Sequence, residues 1–135
     1  MQNTRVFTVP INRSYEEAYG FLKDPRNYPK WSPLPGASFE PASENGLDWL
    51  VELPRGRRVL RFSPPNPFGV LDYQVLSQAG ALEYTAPLRL IANEEGSVLV
   101  AIYFQRPEQA AAAFDSDVEW AANDLKAVAA VVERL

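Results

Sequence analysis

Apolar and polar positions alternate along most of the chain, in short segments with turn residues between them. Phe7, Val9 and Ile11 share one parity in the first segment, and Trp49 and Val51 share one in the middle of the chain. Alternation with a period of two is typical of a strand that buries one face. Many of the 12 prolines lie between these segments, so we predict successive strands joined by short connections.

The stretch 116–135 follows a helical period instead. Small and apolar residues recur there at spacings of three and four, namely Val118, Ala121, Ala122, Leu125, Val128, Ala129, Val132 and Leu135. Ser116 and Glu119 have the spacing of a capping box, which predicts that the helix begins at Ser116. A helix of about five and a half turns with one apolar stripe needs an apolar surface to pack on.

Two short helices are predicted before the main run of strands. Ser14 and Glu17 form a second capping box, and the apolar face that follows consists of Tyr15, Ala18, Tyr19 and Leu22. Asp24-Pro25 starts a further helical turn, with Asp as the N-cap and Pro at the first helical position. That turn runs toward Tyr28 and Trp31.

The predicted element order is β-α-α-β6-α. Strands are expected at 5–12, 37–41, 47–53, 57–63, 68–77, 81–91 and 97–105, with a hairpin turn at 54–56. A twisted antiparallel meander of this length curls, and only the terminal helix is long enough to cover its concave side. We therefore predict an α+β helix-grip fold, a curved antiparallel sheet of about seven strands wrapped on a long C-terminal helix, in one domain spanning residues 1–135.

Composition excludes several kinds of chemistry. The chain has no Cys and no His, which excludes disulfides and thiolate nucleophiles and removes the commonest metal ligands, so we expect no metal and no cofactor. The net charge is −4 with both signs interspersed, which predicts no nucleic-acid binding. No apolar run is long enough to insert stably in a membrane, and without a signal pattern we expect a cytoplasmic location. Prolines near the 37–41 edge discourage strand addition, so a monomer or weak dimer is expected.

The segment 7–33, FTVPINRSYEEAYGFLKDPRNYPKWSP, resembles the opening of the START/Bet v 1-like (SRPBCC) superfamily, especially its polyketide cyclase/dehydrase-like branch. The matching features are a strand, Pro-Ile-x-x-Ser, a short helix ending in Phe-Leu-x-Asp-Pro, and a Trp at the end of the second helix. The resemblance implies a cavity between the concave face of the sheet and the terminal helix. It implies no single reaction, because the superfamily includes lipid carriers, cyclases, hydroxylase domains and chaperone activators.

A ligand pocket can be assembled from the strand parity, the helix stripe and this resemblance. The predicted pocket consists of Tyr28, Trp31, Trp49, Arg58, Phe62, Tyr73, Tyr84, Ala122 and Leu125. Tryptophan and tyrosine suit an amphipathic ligand, although the same rings could simply fill the core. Arg58 shares parity with Phe62 and could meet a ligand carboxylate or phosphate, or lie at the surface. No catalytic residue is predicted, because the acidic candidates Glu52, Asp72 and Glu83 are expected in solvent.

Three functions remain open from the sequence. The leading hypothesis is a non-catalytic binder of a small hydrophobic or amphipathic molecule. An enzyme of the polyketide cyclase or dehydratase kind is the second, and two or more inward-facing ionisable groups would favour it. The third is a protein-interaction module that uses Trp120 and the arginines between 55 and 61, and a filled core with an exposed aromatic patch would favour it. Trp120 falls off the helix stripe, and we expect it to pack under a loop.

Overall fold

The computed structural model describes residues 1–31, 38–53 and 56–135. The elements in these ranges are β1 (Thr4–Ile11), α1 (Tyr15–Leu22), a 3₁₀ turn (Pro25–Asn27), α2 (Tyr28–Trp31), β2 (Phe39–Pro41), β3 (Asp48–Leu53), β4 (Gly56–Phe62), β5 (Tyr73–Ser77), β6 (Leu82–Ala86), β7 (Leu88–Asn93), β8 (Gly96–Phe104) and α3 (Ala111–Glu133). Ala37 of the predicted second strand and Pro54-Arg55 of the predicted hairpin turn lie outside the described residues.

The strands form two antiparallel sheets that curve around α3. The smaller sheet has the order β1-β8-β7, and the larger has the order β2-β3-β4-β5-β6. Residues of α1 and α3 pack in one core cluster with the inward residues of the smaller sheet. The predicted α+β helix-grip architecture is confirmed.

The chain crosses from the larger sheet to the smaller one at Pro87, within a segment predicted as one strand. Proline has no N–H to donate to a ladder, so the segment divides there into β6, which pairs with β5, and β7, which pairs with β8. Asp72 stabilises this crossing between the two sheets. Its Oδ1 accepts from the backbone N–H of Leu88 at 2.8 Å, and its carboxylate binds the Arg89 guanidinium. The described residues therefore contain eight strands rather than about seven.

The predicted strand at 68–77 begins only at Tyr73. Upstream of it, Asn66 Oδ1 accepts from the N–H groups of Phe68 and Val70, which holds this segment in a turn. Gly69 has a φ of 69°, and a Cβ there would lie 2.0 Å from the carbonyl oxygen of Leu90. Glycine is required at this close approach to β7. In this segment, Val70 forms an isolated antiparallel bridge to Arg89 of β7.

The first two helical caps are confirmed and the third is wrong. The Glu17 N–H donates to Ser14 Oγ at 3.2 Å, and Asp24 accepts from the Arg26 N–H at 3.0 Å. The terminal helix, however, begins at Ala111 instead of Ser116 and has no side-chain cap. Residues 110–113 are all alanine, the best helix former, and Phe114 adds one more buried position to the stripe.

The core consists of two clusters bridged by one residue. The first lies between the smaller sheet, α1 and α3, and the second lies on the larger sheet around Tyr28, Leu60 and Val75. Trp31 packs against both clusters. In the described ranges, no helix combines the length and the apolar character needed to cross a bilayer.

Candidate functional site

An aromatic cluster fills the space between α2 and the concave face of the larger sheet. Tyr28 lies at its centre, with ring centroids 4.6 Å from Trp31, 5.5 Å from Phe39 and 5.4 Å from Phe62. The Tyr73 ring is 6.1 Å away. Most of these pairs have the edge-to-face geometry that aromatic rings prefer.

Strand register explains how the cluster is assembled. Phe62 on β4 is directly opposite Tyr73 on β5, and opposed residues project from the same face of a sheet. Trp49 reaches the cluster through Phe39, on which it stacks at 4.6 Å with an interplanar angle of 8°. Five predicted pocket residues therefore come together: Tyr28, Trp31, Trp49, Phe62 and Tyr73. Phe39 was missed because a strand of three residues shows no clear period, although its position opposite Val51 places it on the same face.

Between this cluster and α3 remains a cavity of about 20 Å³. Trp31, Phe62 and Tyr73 line it together with Leu125 and Val128 of α3. A cavity needs roughly 10–15 Å³ to hold one water molecule, whereas small-molecule pockets are about 300–1,000 Å³. Aromatic and aliphatic side chains therefore occupy most of the space that the fold encloses.

The indole N–H of Trp31 is buried and has no hydrogen-bond partner among the described residues. Trp49 shows the ordinary arrangement, because its Nε1 donates to the carbonyl oxygen of Gly46 at 2.9 Å. A buried donor without an acceptor costs about 1–3 kcal/mol, so such groups are rare and often mark sites of function. Trp31 also lines the cavity.

Tyrosine hydroxyls converge on the same region. Burial, followed by the nearness of other tyrosines including Tyr28 and Tyr103, raises the pKa of Tyr73 well above its ordinary value. Burial, with a smaller contribution from Asp124, raises the pKa of Tyr103 to about 12. Both phenols are therefore neutral at pH 7, and they can donate or accept hydrogen bonds but cannot supply a phenolate base.

Asp124 of α3 is a candidate residue that the sequence pattern did not single out. Its side chain is half-buried and makes no hydrogen bond or ion pair with any described residue. Burial raises the pKa of its carboxyl group. The position could have been noticed, since it lies three residues after Ala121 and four before Val128, on the flank of the apolar stripe.

The remaining predicted pocket residues, Arg58, Tyr84, Ala122 and Leu125, lie outside the aromatic cluster. Arg58 lies opposite Val51 and so shares the concave face, but its Nε donates to Glu83 Oε1 at 2.5 Å. Tyr84 is 54% exposed. Ala122 and Leu125 are both buried on α3, and Leu125 lines the cavity.

The arginines expected to form an interaction surface are paired with acids. The pairs are Arg57–Glu52 at 2.5 Å, Arg58–Glu83 at 2.5 Å and Arg61–Asp48 at 2.9 Å, and Arg55 lies outside the described residues. Their charges are largely neutralised within the sheet. The expectation that Trp120 packs under a loop is wrong, because it is 68% exposed on the face of α3 away from the buried stripe.

No family model matches the chain, and no curated protein does. Solved structures do match it. The Aha1 dimer protein from Colwellia psychrerythraea superposes with a TM-score of 0.71 at 14% identity, covering 97% of this chain and 96% of that one. Ara h 8.0201 gives 0.65 at 14% identity and covers all of both chains. The chain has a START/Bet v 1-like fold.

An enzyme shares the Bet v 1-like fold with this chain. Norcoclaurine synthase from Thalictrum flavum superposes with a TM-score of 0.67 at 14% identity, covering 99% of this chain and 86% of that one. A second structure of that enzyme contains dopamine and hydroxybenzaldehyde. At these identities the comparisons establish the Bet v 1-like fold, and function has to be argued from the site itself.

Proposed function

We propose that this chain binds a small, flat amphipathic molecule between the larger sheet, α2 and α3. The observation that carries the proposal is the buried indole N–H of Trp31, which has no hydrogen-bond partner among the described residues and belongs to a side chain that lines a cavity large enough for one water molecule. A ligand acceptor atom at this point would satisfy the donor. Such a hydrogen bond would contribute about 0.5–1.5 kcal/mol to binding.

The lining supports a ligand with an apolar body and a polar edge. Phe62 and Leu125 offer apolar contacts, while Trp31 and Tyr73 combine a ring with a hydrogen-bonding tip. Lys23 also borders the cavity and makes no ion pair among the described residues, with its Nζ 5.7 Å from the centroid of the Tyr19 ring. This ammonium favours a ligand that carries a carboxylate, so aromatic carboxylic acids are the class we propose.

A ligand larger than water must displace side chains, and Trp31 is the side chain best suited to move. It is the last residue of the four-residue helix α2, and moving its indole breaks no side-chain hydrogen bond with the part of the chain that the structure describes. Moving the Trp49 indole would break its bond to Gly46. Apolar packing against the two core clusters holds Trp31 in place, so a ligand has to replace those contacts as it shifts the indole.

The ligands bound to norcoclaurine synthase support the proposed size. A Bet v 1-like fold of similar extent accommodates dopamine and hydroxybenzaldehyde, which are small aromatic molecules. A molecule of this size requires less rearrangement of the aromatic cluster here than a long-chain lipid would.

Nuclear magnetic resonance of the indole N–H groups tests the proposal directly, because the chain has 3 tryptophans and each gives its own signal. Titration with 4-hydroxycinnamate, indole-3-acetate and naphthoate should shift the Trp31 signal and raise the melting temperature. Trp31→Phe keeps a ring but removes the donor, and it should weaken binding about 2- to 13-fold, as one hydrogen bond predicts.

Trp120→Phe is the matched control, since it makes the same chemical change at an exposed site and should leave affinity unaltered. A panel extended to fatty acids and flavonoids that neither shifts the Trp31 signal nor stabilises the protein would reject the binding function.

A cyclase- or dehydratase-like enzyme is the second candidate, favoured by Asp124 and Tyr103. Asp124 has a raised pKa, makes no hydrogen bond or ion pair with any described residue, and contributes to the raised pKa of Tyr103. Neither residue lines the cavity, so only a ligand that extends beyond it could exchange protons with them. Asp124→Asn and Tyr103→Phe should then abolish turnover of a bound ligand while leaving its affinity nearly unchanged. If these two variants lose affinity and the wild type shows no turnover, the enzyme hypothesis is rejected and only the binding function is left.

A further inference from the structure

The turn between β2 and β3 contains the only asparagine of the chain that is followed by glycine, Asn45-Gly46. A backbone nitrogen attacks the preceding asparagine amide most readily when it belongs to glycine, because glycine has no Cβ to hinder the approach. Gly46 has a φ of 75°, and apart from its chain neighbours no atom of the described residues lies within 4 Å of the position that its Cβ would take. Asn45 is exposed, so water reaches the site.

The turn also holds the Asn45 amide in position for that attack. The Leu47 N–H donates to Asn45 Oδ1 at 3.0 Å, which folds the side chain back over the Gly46 peptide. The Ser43 hydroxyl donates to the same oxygen at 2.5 Å. The Asp48 N–H donates to Ser43 Oγ at 3.1 Å and so orients that hydroxyl. Two donors therefore face the oxygen on which negative charge develops when the amide carbon is attacked.

The attacking nitrogen, in contrast, is weakly held. The Gly46 N–H donates to the carbonyl oxygen of Ser43 at 3.4 Å. This distance is longer than the roughly 2.7–3.2 Å of ordinary N–H···O bonds. The turn therefore combines an amide carbonyl bound by two donors with a nitrogen that is easily released.

We propose that Asn45 is a site of spontaneous deamidation and that this turn accelerates the reaction. The Gly46 nitrogen forms a bond to Asn45 Cγ. The bond from Cγ to the side-chain nitrogen breaks, and that nitrogen leaves as ammonia with the proton of the Gly46 N–H. Water then opens the resulting succinimide ring. Attack on one ring carbonyl gives aspartate, and attack on the other gives isoaspartate, in which the main chain runs through the former side chain.

The reaction reaches the aromatic cluster through Trp49. The Trp49 Nε1 donates to the carbonyl oxygen of Gly46, and the Trp49 ring stacks on Phe39. Isoaspartate adds a methylene group to the main chain directly before Gly46, which shifts this carbonyl oxygen away from the indole. The Trp49 indole signal therefore reports on the reaction, whether or not the cluster binds a ligand.

Incubation of the full chain in mildly alkaline buffer, followed by peptide mapping with mass spectrometry, tests the proposal. Asn45 should be converted faster than any other asparagine, and the Trp49 indole signal should change in step with the conversion. Asn45→Gln should prevent the change of this signal, because a longer side chain does not form the succinimide. Asn93→Gln, the matched control in another exposed turn, should leave it unaltered.

Two measurements test the part played by the turn. Ser43→Ala removes one donor from Asn45 Oδ1 and should slow the conversion about 2- to 13-fold, as one hydrogen bond predicts, whereas Ser43→Thr keeps a hydroxyl and should retain the wild-type rate. The second measurement does not depend on how a variant folds. The wild type unfolded in urea lacks both donors and should convert Asn45 more slowly than the native wild type.

Three results would overturn the proposal. Conversion at Asn45 no faster than at the other asparagines would remove the site. A native rate no higher than the rate in urea would show that the turn does not accelerate the reaction. Conversion to isoaspartate that leaves the Trp49 signal in place would remove the link to the aromatic cluster.

Discussion

Replacing Leu125 with alanine tests whether α3 joins the two halves of the core. Leu125 is buried, belongs to the cluster on the smaller sheet, and lines the cavity with Phe62 and Tyr73 of the larger one. Truncating it removes contacts within the smaller-sheet cluster and enlarges the cavity that Phe62 and Tyr73 also line. The expected loss is therefore larger than that of a leucine at the edge of either cluster.

The magnitude follows from the atoms removed. Leu→Ala deletes three carbon groups, at about 0.8 kcal/mol each, and adds a term for the enlarged cavity. The sum is about 3 kcal/mol, within the range of roughly 2–5 kcal/mol for buried leucines. Helix propensity does not add to the loss, since alanine is the better helix former. A domain of this size has a free energy of unfolding of roughly 7–20 kcal/mol, so the variant stays folded.

Urea unfolding followed by tryptophan fluorescence and circular dichroism measures this loss, provided that the m-value is unchanged. Leu135→Ala is the control, because it deletes the same atoms from a half-exposed residue beyond the end of α3. The control should cost less than about 0.5 kcal/mol. Equal losses for the two variants, or a loss under about 0.5 kcal/mol for Leu125→Ala, would refute the central role of the helix.

Two further substitutions probe partly buried carboxylates. Asp124→Asn should raise the melting temperature at pH 7, because the folded-state pKa of this carboxyl group lies above its unfolded value and the charged form is disfavoured on folding. The gain should shrink as the pH falls through the raised folded-state pKa and disappear below about 3, where the aspartate is protonated in both states, and a gain independent of pH would contradict this cause. Asp72→Ala leaves the Leu88 N–H without its acceptor and should cost about 2–3 kcal/mol in urea unfolding, whereas Glu52→Ala, which removes an exposed pair with Arg57, should cost under about 1 kcal/mol. Similar losses for Asp72→Ala and Glu52→Ala would show that Asp72 does not stabilise the crossing between the sheets at Pro87.

Strand parity was sufficient to predict much of the aromatic cluster. Phe62 and Tyr73 must project from one face, because each alternates with polar neighbours and only one face of the sheet is covered. The helix start could not be found in the same way. The capping box at Ser116 is a local signal, and the alanines before it together with the burial of Phe114 outweigh that signal.

The finer features of the site depend on tertiary packing. Strand parity put Arg58 on the same face as Phe62, and the structure has it on the concave face. Its partner Glu83 depends on an irregularity in strand register between Val75 and Leu76, which the period of the sequence does not indicate. The Trp31 indole N–H, which has no partner among the described residues, and the cavity that Trp31 lines are likewise set by how side chains from seven elements pack together, which a linear pattern does not encode.

The pairing of β1 with β8 sets the order in which the chain can fold during synthesis. Thr4 is opposite Phe104, so the first strand made has to wait for a partner about a hundred residues later. Strands β3 to β6, in contrast, pair with their sequence neighbours and can form the larger sheet as soon as they leave the ribosome. Until β8 and α3 follow, the apolar residues of β1 remain uncovered. A nascent chain halted before Gly96 would therefore display this strand to chaperones or to other nascent chains.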